Sequence, residues 1–212
     1  MKKKSMLWII AVLLAFVVIK QSFYIKKLDE LQASLTLSSF DAATYVDTLW
    51  QEKLPKALAT AVPLQVILNG LNQNPSQTIE KYSKGMGIGY IRYFLVKGTA
   101  AIVSNKTDAT LLQLEGDQSA SHLLLQTEYI YGNAARDASG LVDMTTFKNT
   151  NELNLVSQEI NNRIREKVLQ PYKAHQDRAE KVEFVAAIEI NSKFPSTDPI
   201  EMIPLNLQIV DK

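Results

Sequence analysis

The sequence predicts an α+β fold: a helical N-terminal part, then a five-stranded β-barrel with one long helix between its third and fourth strands. Three observations predict it. Strand-like stretches joined by turn residues run from Tyr90 to Tyr131, a long amphipathic helix opens at Asn149, and two alternating strands come after it. Three strands joined by tight turns are not a parallel βαβ repeat, because parallel pairs need long crossovers.

Asp41, preceded by Phe40, has the chemistry of an N-cap with an apolar staple residue in front of it. A helix from Ala42 then places Tyr45, Val46, Leu49 and Trp50 on one face. Pro55 removes a donor, so a break or kink is expected near Leu54, before Lys56–Ala61. Pro63 suits the first turn of a helix carrying Val66, Ile67 and Leu71, and Asn74-Pro75 opens another through about Tyr82. Gly85, Gly87 and Gly89 form a glycine-rich bend. Their G-x-G-x-G spacing, with no helix pattern and no GK[ST] after it, is not that of a phosphate-binding loop.

From Tyr90 the composition turns β-branched and aromatic. Tyr93–Ser104 reads as the first strand, with Gly98 as a bulge or bend. Asn105–Asp108 is turn chemistry, Ala109–Leu114 the return strand, Gly116–Ser119 a second turn and Ser121–Tyr131 the third strand. Asn149 and Glu152 form an N-x-x-E capping pair. Leu153, Val156, Ile160, Ile164 and Val168 follow as one apolar stripe, and Pro171 is expected to end the helix or nearly so. Val182, Phe184, Ala186, Ile188 and Ile190 alternate as the fourth strand, and Ile203, Leu205, Leu207 and Ile209 as the fifth. This order is OB-like, and closure of so small a barrel removes exposed strand edges.

Before this domain, Lys2, Lys3 and Lys4 precede an unbroken apolar run from Met6 to Ile19. A charged segment followed by such a run is an export signal. No small-x-small cleavage pattern follows Ile19, and the stretch continues through Phe23, Tyr24 and Ile25 past a single Lys20, whose stem can carry its ammonium to the headgroups. The expected organisation is therefore a retained signal-anchor or transmembrane segment over 1–27, a polar stalk over 28–39 and a soluble domain over 40–212. Within that domain, 40–89 is the helical part and 90–212 the OB-like barrel. The expected location is the cell membrane, single-pass, with the soluble domain periplasmic or extracellular.

Composition narrows the chemistry. A formal net charge of +1 leaves no electrostatic footprint for nucleic acid. With no cysteine, the chain has no disulfide, thiolate metal site or Cys nucleophile. The two histidines, His122 and His175, stand far apart without partners at metal-ligand spacing, although Asp177 lies near His175, and no G-x-S-x-G elbow is present. No catalytic residue, metal site or cofactor is predicted. One polar group stands out: Arg136 and Asp137, following a strand, with Asn149 and Asn161 on the long helix, expected to converge at one mouth of the barrel. Arginine offers a fixed fork for carboxylate, phosphate or sugar hydroxyls. Tyr131, with Tyr129, is placed to stack on a sugar ring. The plainer reading is structural: Arg136 and Asp137 brace a loop, Asn149 caps its helix, and tyrosines alternating in a strand pack.

Phe40-Asp41, Tyr45–Trp50, Phe94–Gly98, Ile130-Tyr-Gly132, Ala135-Arg-Asp-Ala138 and Phe147-x-Asn149, with Val156 and Asn161 beyond, resemble the bacterial family called predicted periplasmic lipoprotein, domain of unknown function 2291. The resemblance runs from about Phe40 to Val210. Where that family has I-R-G-T-x-x-R-D-A and F-x-N-Q, this chain carries Tyr131, Asn133 and Thr150 in place of Arg, Thr and Gln, so any contact those groups make is altered here. The lipid-bearing cysteine is absent too, and the apolar helix is expected to replace it. The resemblance implies an extracytoplasmic, membrane-attached protein often encoded near sugar ABC-transporter genes, with no established activity. The expected partners are the membrane, through residues 6–25, and a small solute or a sugar ABC-transporter component; no nucleic acid is expected. The competing expectations are a hydrolase of envelope carbohydrate using Asp137 and Glu128, whose carboxyls would need to stand ~5–10 Å apart in one cleft, and a purely structural assembly factor.

Overall fold

The computed structural model describes residues 40–84, 89–116, 122–196 and 198–210, all within one compact unit that begins at Phe40. The segments expected as anchor and stalk, residues 1–39, lie outside the described residues, as do Gly85, Gly87 and most of the turn at Gly116–Ser119. Among the described residues no helix is long and apolar enough to cross a membrane.

Helix α1 spans Ala42–Thr48, and the Asp41 carboxylate accepts from the Thr44 amide at 3.1 Å, as the capping chemistry predicts. The break expected at Pro55 does not occur. The helix widens into one π-type turn over Leu49–Lys53, where the Leu54 amide reaches back to the Leu49 carbonyl, and continues as α2, Leu54–Ala59. The same device recurs at Pro171. The long helix α6, Thr150–Ile164, passes through a π-type turn over Arg165–Leu169 into α7, Gln170–Lys173, and ends two residues past Pro171, close to the expected place. A proline ring normally collides with the carbonyl four residues back. Widening the turn just ahead of it moves that carbonyl away, and π-bulges are the usual form of this relief.

Val62–Pro63 forms β1, a two-residue parallel partner of Val96 and Lys97, so the sheet has six strands where five were expected. Pro63 therefore stands at the N-cap of α3, Leu64–Gln73, rather than inside its first turn. Asn74 caps α4, Pro75–Tyr82, accepting from the Gln77 amide. The remaining strands are β2, Ile91–Asn105, β3, Ala109–Leu114, β4, Leu123–Gln126, β5, Lys181–Asn191, and β6, Ile200–Val210. Pairing runs β2–β3–β4–β6–β5 and returns through β2–β5, so each of these five strands has two neighbours and the sheet closes on itself. All pairs are antiparallel except β4–β6, and α6 falls between β4 and β5. This is the expected OB-like order.

Two details of the strands differ from expectation. The register irregularity against β3 falls at Val103, between Ile102 and Ser104, not at Gly98, which pairs with Phe184 in unbroken register. A Cβ on Gly98 would meet Leu114 Cδ1 and Phe184 Cζ at 3.0 Å, so this glycine serves close approach rather than a bend. The third strand stops at Gln126, well before Tyr131.

The alternation of the strands separates two apolar layers. Phe94, Val96, Leu123, Val182, Phe184, Ala186, Ile188 and Met202 meet inside the closed sheet, joined by Leu64, Ile67 and Leu71 of α3 and by Tyr172 of α7. Leu95, Ala187 and Leu205 face outward and carry the second layer, made by Val46, Ala134, Ala135, Ala138, Val156, Ile160 and Ile164. Each fully buried side chain of this kind contributes ~1.5–3 kcal/mol. Arg163 ties α6 to α1, its guanidinium 2.9 Å from Asp47 and 3.0 Å from Glu159.

Candidate functional site

The outer layer positions the polar groups. Ala134–Ser139, which the sequence presents as loop, forms a short helix, α5, ended by Gly140 at φ +65°. Its alanines join the outer apolar cluster against Leu95 and Ala187, so Arg136 and Asp137 sit over the outer face of the sheet rather than at its mouth. Arg136 is 3% exposed. Its Nε and Nη2 donate to the two Asp137 carboxylate oxygens at 2.7 and 3.0 Å, and its Nη1 donates to Ser157 Oγ at 2.9 Å. Ser157 Oγ in turn lies 3.1 Å from Asn133 Oδ1. The guanidinium is thus committed to bracing α5 against α6.

Asn149 caps α6: its side chain accepts from the Glu152 amide at 3.0 Å while Glu152 accepts from the Lys148 amide at 3.0 Å. Asn161 lies twelve residues along the same helix, ~18 Å away at 1.5 Å per residue, so the two do not converge. The buried Asn161 donates through Nδ2 to the Gly132 carbonyl at 3.0 Å and lines a cleft of about 240 Å³. Tyr131, 74% exposed, lines the same cleft. Of the expected group, the structure brings together Tyr131 and Asn161, sets Arg136 and Asp137 beside them, and leaves Asn149 apart.

The rest of the cleft comes from Ile130, Gly132 and Asn133, which belong to the motif stretch, and from residues the sequence reading passed over: Asn154, Ser157, Gln158 and Arg165. Asn154, Ser157 and Gln158 are on α6 and Arg165 opens the π-type turn after it; with Asn161 they repeat at helical spacing and form a polar stripe beside the apolar one. Arg165 is held by the Ile130 carbonyl and by Asn162 Oδ1, the latter at 2.8 Å. The polar groups of the cleft are therefore the amides and hydroxyl of Asn133, Asn154, Ser157, Gln158 and Asn161 with the Arg165 guanidinium, beside the exposed Tyr131 phenol.

On the far side of Arg136 lies a second cleft, of about 500 Å³, lined by Lys84, Asp137, Gly140, Asp143 and Thr145. Lys84 donates to the Ser139 carbonyl at 3.2 Å, and burial lowers its pKa below the ordinary lysine value. Burial first, then the charges of Glu189 and Asp137, raises the Tyr93 phenol above its ordinary value. A larger groove, of about 440 Å³, lies over β2, β5 and β6 and is lined by Lys97, Thr99, Glu183, Phe184, Asn206 and Gln208.

Asp137 and Glu128, the carboxylates a hydrolase would use, do not share a cleft. Asp137 is clamped by Arg136, while Glu128 pairs with Lys173 and is held below the usual carboxylate range by that hydrogen bond. His122 meets only Asp198, at 2.9 Å on the surface, and the His175 ring meets the Pro171 carbonyl at 3.1 Å. Among the described residues no His, Cys, Asp and Glu cluster suits a metal ion.

Among solved structures, the chain is similar to an OB-fold protein from Thermotoga maritima, with a TM-score of 0.73 and 26% identity, over 82% of this chain and all of that one. No curated protein matches it. The family model described as predicted periplasmic lipoprotein, domain of unknown function 2291, matches residues 13–208. With the OB-like strand order and the motifs around Ala135–Ala138 in place, the chain belongs to this family of predicted periplasmic lipoproteins.

Proposed function

We propose that this protein is a membrane-tethered, extracytoplasmic accessory protein that binds a small neutral polyhydroxylated solute, a sugar, in the Tyr131 cleft, working beside a sugar ABC transporter. The observation that carries the reading is the cleft itself: an exposed tyrosine over a floor of Asn133, Asn154, Ser157, Gln158 and Asn161. An aromatic face stacks on the apolar side of a sugar ring, and amides that both donate and accept match its hydroxyls. Both nearby guanidiniums, Arg136 and Arg165, already have partners, which favours a neutral ligand over an anion. A volume of about 240 Å³ falls just below the ~300–1,000 Å³ of drug-sized sites and suits a single sugar unit. The closed sheet serves as the rigid OB-like barrel on which the cleft is mounted. Since the sequence has no cysteine to carry a lipid, residues 6–25 serve as a retained single-pass anchor.

The test uses the full chain in nanodiscs, melted in the presence of a panel of neutral mono- and disaccharides. One class of sugar should raise the melting temperature. Tyr131→Ala should weaken that sugar by up to about tenfold, the worth of one stacking contact of ~0.5–1.5 kcal/mol, while leaving stability within ~0.5 kcal/mol. A panel without any shift, or a Tyr131→Ala variant that binds like the wild type, removes the reading. Copurification of a permease with the full chain from membranes would support the transporter link.

A further inference from the structure

A second exposed aromatic group lies at the end of the closed sheet where β2 begins and β5 finishes. Ile91 pairs with Asn191 there, and the Ser192 amide donates to the Tyr90 carbonyl at 2.6 Å. The turn after β5 is held by Asn191, whose Oδ1 accepts from the Lys193 amide at 2.9 Å. Tyr90 and Phe194 are 59% and 70% exposed. The Lys193 ammonium lies 5.3 Å from the centre of the Tyr90 ring and 5.5 Å from that of Phe194. Two bare rings flanking one ammonium form a compact amphipathic tip, and nothing in the inner or outer core uses them.

The start of the domain lies toward the same end. Phe40, where the described chain begins, packs its ring against Tyr45 and Phe147 at 5.6 and 5.5 Å. Asp143, close enough to Tyr45 to raise its phenol beyond what burial does, shares a cleft with Lys84. Lys84 exchanges both backbone hydrogen bonds with Tyr93, three residues from Tyr90. In sequence, residues 26–39 separate Phe40 from the apolar run and reach at most ~50 Å when fully extended.

We infer that Tyr90, Lys193 and Phe194 form a second membrane contact, in which the two rings enter the headgroup layer of the bilayer and the lysine meets anionic lipid. This rests on the membrane tether proposed above. Tyrosine and phenylalanine with a neighbouring lysine suit the interface because the rings leave water while the ammonium stays at the headgroups. A short tether makes such a contact intramolecular, so a surface of three residues suffices where it would fail for a free domain. The contact would hold the domain in one orientation, with the start of β2 turned to the lipid.

Because the chain has no cysteine, a single Ser196→Cys or Val103→Cys substitution gives a unique labelling site. Ser196 adjoins the aromatic tip; Val103 is exposed near the far end of β2. The full chain, labelled with an environment-sensitive fluorophore, is reconstituted into phosphatidylcholine–phosphatidylglycerol vesicles carrying a headgroup-proximal spin-label quencher. Quenching at 196 should exceed that at 103 by about twofold or more and should fall toward the value at 103 in Phe194→Ser, as expected for an interfacial aromatic anchor. Equal quenching at the two sites, in protein that floats with the vesicles, overturns this contact and leaves the tether standing. Protein that does not float overturns both.

Discussion

Where β2 begins, the surface exposes Tyr90 and Phe194 on either side of the Lys193 ammonium; five residues after β4, it exposes Tyr131 beside a cleft that carries amides. Both regions present bare aromatic rings, but what surrounds the rings differs. An ammonium without a hydrogen-bonding floor suits a fluid, chemically repetitive partner such as a lipid surface. A buried amide such as Asn161, held by the Gly132 carbonyl, suits a ligand whose hydroxyls are counted one by one, because an unmatched buried amide carries a full desolvation cost. The difference teaches that exposed aromatics are informative only together with the polarity and rigidity of what lies under them.

The first way to break the comparison is at Arg136, the tie that fixes the tyrosine cleft to the sheet. Arg136→Met removes the guanidinium but leaves the Asp137 carboxylate little exposed and Ser157 with one partner fewer. Removing one member of a buried ion pair costs ~3–5 kcal/mol. Urea unfolding of the full chain in nanodiscs should show a loss of that order. A loss below ~1 kcal/mol, the range of surface pairs, would mean that the brace is not what holds α5 against α6.

A smaller effect is expected at Asn149, the cap of α6, and at Asn161 within it, which sharpen the boundary of the cleft. Asn149→Ala removes a helix cap and should cost ~0.5–2 kcal/mol of stability without changing the response to sugar. Asn161→Leu should abolish the response to sugar instead, since it takes a donor and an acceptor out of the cleft floor. If Asn149→Ala also weakens the sugar, the two positions communicate along the helix and the cleft extends further than the described lining.

How much of this was readable beforehand follows physical lines. The strand order was, because alternation at Val182–Ile190 states which side chains face inward whatever the partner strands are. The long helix was, because its apolar stripe and capping pair agree. Helix α5 was not: its six residues, Ala134–Ser139, are too few for periodicity to show, and their helicity comes from packing Ala134, Ala135 and Ala138 on the sheet. Pro171 stands two residues before the helix end, near the expected place, whereas the break expected near Pro55 did not form because a π-type turn removes the clash of a regular α-turn. At the site, Tyr131 and Asn161 stood out by residue type. Asn154, Ser157, Gln158 and Arg165 carried a signal of helical spacing, hidden because a polar stripe on a helix ordinarily faces solvent.

The smallest expected effect belongs to the sheet end nearest the aromatic tip. Glu189 of β5 stands opposite Tyr93 in the pairing with β2, and its carboxyl is raised above the usual value, first by desolvation and then by the charge of Glu201. A carboxyl whose pKa is higher folded than unfolded favours the folded state while protonated. That contribution is present below the unfolded value, ~4.3 for a glutamate, and is lost as pH rises through the folded value. At neutral pH the wild type therefore carries a charge it disfavours, and Glu189→Gln should be slightly more stable there. Below the ordinary carboxylate range both forms are neutral and the difference should vanish. Urea midpoints measured on the pair at pH ~7 and ~3.5 bracket that titration. A Gln variant that is less stable at neutral pH, or a gain that persists in acid, would show that the Glu189 charge is satisfied in the fold and that repulsion from Glu201 does not shape this end of the sheet.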